Sequence, residues 1–250
     1  MDHDAVTSAR ERWLKLCAWG VHFYTASGAV AGLLAIDCAA RGDFRSSFIA
    51  MAAATAIDSS DGPLARWLEV RRRIPYFDGA LLDNVVDYLT YVLAPVFLML
   101  RAGILAPGIS GYIIGGFVMV ASGYGFCHVD AKTDDHYFRG FPSYWNLVAL
   151  YLYCLEFGAL AGTAIVAVFA VMVFVPIKYI YPNRTGPLRA LTLTFAIIWA
   201  IITVTLLAAL PAYHPVLLYA SLSFIAYYFI ASFILHARAA MKLRRYRSDA

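Results

Sequence analysis

Apolar residues run through this chain in long blocks, not in the alternation of a half-buried strand or the one-sided stripe of a surface helix. Blocks fall at 18–36, 45–65, 79–101, 108–128, 188–209 and 215–236, with a longer one at 144–177. Each of the first six matches the ~20 residues that carry a helix across a ~30 Å hydrocarbon layer. Turn and charge signals separate them: Arg41-Gly42-Asp43, Arg71-Arg72-Arg73-Ile74-Pro75, Ala106-Pro107-Gly108, Tyr181-Pro182-Asn183, and Pro211 to Pro215. Between Leu147 and Ile177 the single charge is Glu156, followed by Phe157-Gly158. One helix of that length would extend ~46 Å, so the pattern predicts two short passes turning near Glu156.

Composition agrees with the pattern. Hydrophobic residues make up 62% of the 250 and charged residues 14%, and the mean hydropathy is +0.67. These values exclude an ordinary soluble domain and a disordered chain. The expectation is an all-α, polytopic membrane helical bundle of about eight transmembrane helices, forming a single domain over 1–250. Residues 5–15 read either as a short interfacial helix or as a plain solvated terminus. Four scattered cysteines with no CxxC pair read as reduced packing residues. With eight passes, 17 of the 20 basic residues fall on one side, leaving only Arg41, Arg45 and Arg101 on the other. That bias predicts cytoplasmic termini, because seven passes would export one of the basic ends. The basic tail over 238–247 suits anionic lipid headgroups and calls for no nucleic acid.

Against this apolar background four carboxylates stand out. Asp58 and Asp61 are i and i+3 near the cytoplasmic end of the second span; Asp83 and Asp87 are i and i+4 in the first turns of the third. Each pair therefore occupies one helical face. Membrane-depth aspartates cost ~2.5–3.5 kcal/mol apiece to insert, so four facing lipid would total on the order of 10 kcal/mol. They must face inward and meet positive charge. Arg66 alone cannot balance four acids, whereas two hard divalent cations held by oxygen ligands can. Asp78, off the Asp83/Asp87 face and just before Gly79, reads as a helix cap or as a partner of Arg71 to Arg73 at the membrane surface. Gly62 and Ala65 leave room for a bulky ligand beside the acids, and Pro63 loosens the helix there.

The string Asp58-x-x-Asp61-Gly62-x-x-Ala65-Arg66, followed by Gly79-x-x-x-Asp83-x-x-x-Asp87, resembles the motif of the CDP-alcohol phosphatidyltransferase family. The interval from Arg66 to Gly79 is longer than in most members of that family. Together with FDGALLDNVVDYLTYV and PIKYIYPNRT it resembles one bacterial branch, which joins CDP-diacylglycerol to free choline. The resemblance implies that Asp58, Asp61 and Asp83 ligate a two-metal centre, Mn2+ or Mg2+, with Asp87 close by as the base. It implies a catalytic role for Asp83 and Asp87, and a nucleotide and pyrophosphate pocket lined by Asp61, Gly62, Ala65, Arg66 and Gly79. It also implies a homodimer in the bacterial inner membrane with a cytoplasmic active site. For choline, Tyr144, Trp145 and Asp130 are the candidates, since aromatic faces hold a trimethylammonium group. Phosphatidylserine synthase is the rival within the family. Outside it stand a metal-ion transporter, which would place acids toward the midplane, and an intramembrane aspartyl protease, which needs only two.

Overall fold

The first apolar block folds into α1 (His3–Ala40), a helix that already begins in the polar N-terminal segment. An interfacial helix is therefore not a separate element: residues 5–15 are the first turns of α1. The computed structural model describes residues 3–128, 137–180 and 189–248. Its chain falls into two compact units, Met1–Ala102 and Gly103–Ala250.

In the first unit α1 is followed by α2 (Phe44–Trp67), a single turn α3 (Val70–Arg73), and α4 (Gly79–Asp87). A π-helical segment, Tyr88–Leu93, continues α4 into α5 (Ala94–Arg101) without a break. Local chemistry sets the ends. Asp43 caps α2 by accepting the Ser46 N–H at 3.0 Å. Asp78 caps α4 by accepting the Ala80 and Leu81 N–H groups at 3.1 and 3.0 Å, the first of the two roles its position allows. Between them Arg73 ties the connection down, pairing with Glu11 at 2.8 Å and donating Nε–H to the Leu68 carbonyl at 3.0 Å. The α1 contacts give the helix directions. Thr25 meets Asp61 while Ser47 donates to the Ala35 carbonyl, so α1 and α2 are antiparallel. His22 lies against Gly79 and Gly32 against Leu89, so α1 and α4 run parallel. Three successive membrane crossings require this alternation.

Two glycines set the α1–α4 spacing. A Cβ on Gly28 would lie 2.8 Å from Val86 Cγ1, and one on Gly32 would lie 2.9 Å from Leu89 Cγ. No larger residue fits there without displacing the Val86 or Leu89 side chain.

The second unit holds α6 (Ile109–Cys127), β1 (Tyr137–Arg139), α7 (Trp145–Cys154), α8 (Ala159–Met172), β2 (Lys178–Ile180), α9 (Arg189–Ala209) and α10 (Pro215–Ser248). The long apolar block breaks where Glu156 predicted. Glu156 has φ +51°, and Tyr213 donates its hydroxyl to the Cys154 carbonyl beside the turn. β1 and β2 pair antiparallel, Tyr137 opposite Ile180. Inside, the Tyr151 hydroxyl receives the Trp199 indole N–H at 2.9 Å and pairs with Ser221, so these polar atoms are satisfied within an apolar bundle. All four cysteines are free, as expected.

Among the described residues five helices are long and apolar enough to cross a membrane. Length alone would add α2, whose acids lower its hydropathy, and α7 and α8 are the two shorter apolar helices. The chain is an all-α, multi-pass membrane bundle.

Candidate active site

Two helices of opposite direction bring the acids together. Asp58 and Asp61 face inward from α2, Asp83 and Asp87 from α4, and all four line one narrow cleft. Thr25, Ala54, Ile57, Val86 and Thr90 complete its wall. One carboxylate oxygen from each of Asp58, Asp83 and Asp87 lies within 4.8 Å of the others. Ionised carboxylates at that separation repel unless a cation lies between them. Oxygen ligands in this number and spacing fit a hard divalent cation, so the residues present suit the metal that the sequence pattern implies.

Asp61 belongs to the same cleft but is set apart from the other three. It is buried, and its Oδ2 accepts the Thr25 hydroxyl at 2.7 Å. Asp58 is held similarly: the buried Tyr91 donates its hydroxyl to Asp58 Oδ2 at 2.7 Å. Tyr91 lies on the π-helical turn that starts at the residue after Asp87. Such turns recur at functional sites because the extra residue per turn re-aims side chains. Hydrogen bonds from neutral donors to a ligating carboxylate fix its plane. The sequence reading missed both donors. Tyr91 had a signal, since it continues the Asp83, Asp87 spacing by four more residues, whereas nothing local marks Thr25.

The remaining motif residues occupy distinct places. Pro63 is inside α2, and its missing N–H leaves the Ser59 carbonyl without the usual helical donor. The Arg66 guanidinium folds back over Gly62, where a Cβ would meet Nη1 at 3.3 Å. Ala65 is half-buried against the apolar cluster of Ala18, Val21, Val70 and Ile74. Gly79 has the Cε1 edge of the His22 imidazole against it, and a Cβ there would approach Cε1 to 2.6 Å. The missing side chain at Gly79 therefore makes room for His22.

The choline candidates divide. Trp145 is fully buried and donates its indole N–H to Ser122 at 2.8 Å, the arrangement of a core residue. Tyr144 is half-buried and edge-on to Tyr228, with ring centroids 6.5 Å apart. Asp130 lies outside the described residues.

Fold and cleft together define a multi-pass membrane protein with an acidic site able to hold a divalent metal. Comparison with known proteins places it further. The chain is 36% identical over 222 residues to the phosphatidylcholine synthase of Legionella pneumophila, covering 86% of this chain and 87% of that protein. It is 37% identical over 204 residues to the phosphatidylcholine synthase of Pseudomonas aeruginosa, covering 82% and 85%, and 39% identical over 184 residues to that of Legionella bozemanae, covering 71% and 84%. No family model matches the chain. The chain belongs to the phosphatidylcholine synthase family.

Proposed function

We propose that the acidic cleft of α1, α2 and α4 transfers the phosphatidyl group of CDP-diacylglycerol to choline and releases CMP. The observation that carries this reading is the convergence of Asp58, Asp61, Asp83 and Asp87 on one cleft, in a chain whose relatives are phosphatidylcholine synthases. Two divalent ions, manganese or magnesium, would be held by Asp58, Asp83 and Asp87 with Asp61 alongside; bound there, they neutralise the pyrophosphate and stabilise charge on the reacting oxygens. Asp87 takes the hydroxyl proton of choline as that oxygen attacks the phosphorus carrying diacylglycerol. The new oxygen–phosphorus bond forms, the bond from that phosphorus to the bridging oxygen breaks, and CMP leaves with the electron pair. Thr25 and Tyr91 hold Asp61 and Asp58 in place during this step. Arg66, Gly62, Ala65 and Gly79 border the nucleotide, with Arg66 contributing charge. Tyr144, which is only half-buried, suits a trimethylammonium group better than the sealed Trp145.

The same reading treats 1–250 as one catalytic domain. Similarity over 222 residues exceeds the length of either compact unit, so both belong to what the family shares. The basic residues favour cytoplasmic termini and a cytoplasmic cleft in a bacterial inner membrane, and a homodimer is the expected assembly.

The test is CMP release by purified protein with CDP-diacylglycerol and Mn2+, offering choline, serine, glycerol 3-phosphate and inositol in turn. Choline-dependent release, lost in Asp83→Asn, supports the reading. Release with serine instead makes the protein a phosphatidylserine synthase, and no release with any alcohol returns the metal-ion transporter.

A further inference from the structure

One buried polar group of the first unit has no use in the site described above. His22 is 7% exposed, and its Nε2 meets no hydrogen-bonding partner. Buried imidazole nitrogens are ordinarily satisfied, because desolvating a donor or acceptor without replacing its bond is costly. The ring does not fill a sealed core. It lies against Phe77, with centroids 4.5 Å apart, and edge-on to Trp19 at 5.6 Å. Trp19 in turn touches Tyr76 at 6.4 Å, and both Tyr76 and Phe77 are exposed. The result is an aromatic group that holds one enclosed, orphaned hydrogen-bonding nitrogen and whose outer rings, Tyr76 and Phe77, are exposed.

Its distance from the acids is set by two helices at once. Along α1, His22 is one turn before Thr25, which holds Asp61. Along α4, the glycine beneath the imidazole is one turn before Asp83. Both paths place His22 about 5 Å of helical rise from the acidic cleft. A ribose bridges a step of that order between a diphosphate and its base. Flat aromatic surface and a hydrogen-bonding edge suit a planar heterocycle that itself carries a polar edge.

We propose that His22 is a specificity-determining residue, whose Nε2 hydrogen-bonds the edge of the pyrimidine base while Phe77 and Trp19 border the ring. The proposal rests on the nucleotide reading of the cleft. It also gives Gly79 a physical role: any side chain there would push His22 out of its seat.

The experiment measures CMP and UMP binding to the full-length protein in lipid nanodiscs by calorimetry with Mn2+ present, and Mn2+ binding separately. His22→Leu is expected to weaken CMP on the order of tenfold, the scale of one lost hydrogen bond, and to leave Mn2+ affinity unchanged. His22→Gln, which keeps a polar edge, is expected to retain CMP binding within about threefold and guards against a leucine variant that misfolds. Wild-type protein is expected to prefer CMP to UMP, with the preference lost in His22→Leu. Wild-type CMP affinity in both variants overturns the proposal, as does a parallel loss of CMP and Mn2+ binding, which marks a packing role. Wild-type protein that binds Mn2+ but neither nucleotide overturns the nucleotide reading itself, together with this proposal.

Discussion

Replacing Tyr91 with phenylalanine removes one oxygen and nothing else from the wall of the acidic cleft. The ring is 8% exposed and stays in place, so no cavity opens, and the change falls on the hydroxyl's own partners, the 2.7 Å hydrogen bond on Asp58 Oδ2 and a hydrogen bond with Thr55. A hydrogen bond to a charged group contributes about 1.5–3 kcal/mol. Each 1.4 kcal/mol is a factor of ten in an equilibrium constant, so the loss corresponds to roughly 10–100-fold in metal affinity. The full effect reaches the metal only if the hydroxyl holds Asp58 in the plane that binding requires. Direct titration of Mn2+ by electron paramagnetic resonance on purified Tyr91→Phe reads this without needing turnover, and a thermal melt confirms that the variant folds. Weaker Mn2+ binding at near-normal melting temperature is the expected result. A folded Tyr91→Phe that binds Mn2+ as tightly as wild type would refute the reasoning, and Asp58 would then be oriented by other contacts.

Three further outcomes follow from single contacts. Thr25→Val strips the donor from the buried Asp61 and is expected to lower stability by about 1–3 kcal/mol, with Thr25→Ser restoring most of it, read by thermal unfolding in detergent. Gly28→Leu would drive a side chain into Val86, which sits between Asp83 and Asp87 on α4, so it is expected to abolish Mn2+ binding; Gly20→Leu, with nothing within 4 Å, serves as the neutral control. Asp43 has its carboxyl held below the usual range by hydrogen bonding to Ser46, then by Arg41 and Arg45. A depressed folded value means the cap's contribution is complete above the ordinary carboxylate range and fades as pH falls through it. The melting-temperature gap between wild type and Asp43→Ala is therefore expected at pH 6 and should shrink by pH 3; an unchanged gap would show that ionisation is irrelevant to the cap.

What the sequence reveals here depends on how local each signal is. The apolar blocks, the break at Glu156 and the Asp78 cap are all decided within a few residues, and each can be read in one dimension. The two acid pairs are equally local, since helical phase alone puts each on one face. The partners of those acids are not local: Thr25 reaches Asp61 across 36 residues, and Tyr91 reaches Asp58 across 33. A threonine and a tyrosine in apolar spans carry no mark of their own, so only the folded helices show which ones point at a carboxylate. Ala65 and Gly79 show the converse. Their small size is legible, but the structure sets Ala65 against apolar side chains and Gly79 beneath an imidazole. The β1–β2 ribbon escaped reading because three-residue strands have too few positions to show a period.

The acidic cleft depends most on the helix that supplies no acid. Along α1 the residues His22, Thr25, Gly28 and Gly32 recur every three or four positions and so form one stripe. At its start a large side chain on α1 sits over a glycine of α4, His22 on Gly79; further along the sizes reverse, with Gly28 beneath Val86 and Gly32 beneath Leu89. Exchanging the large partner from one helix to the other locks two parallel helices against both sliding and rotation, because either motion drives a side chain into backbone. Asp83 lies between these two locks, at the level where Thr25 reaches across from the same stripe to Asp61. The position of the α4 acids relative to α1 is therefore set by uncharged packing above and below the cleft, and the α2 acids are tied to the same stripe through Thr25 on Asp61. Packing of this kind resists the mutual repulsion of the carboxylates, and a site that resists relaxing keeps its affinity for the cation that resolves the repulsion.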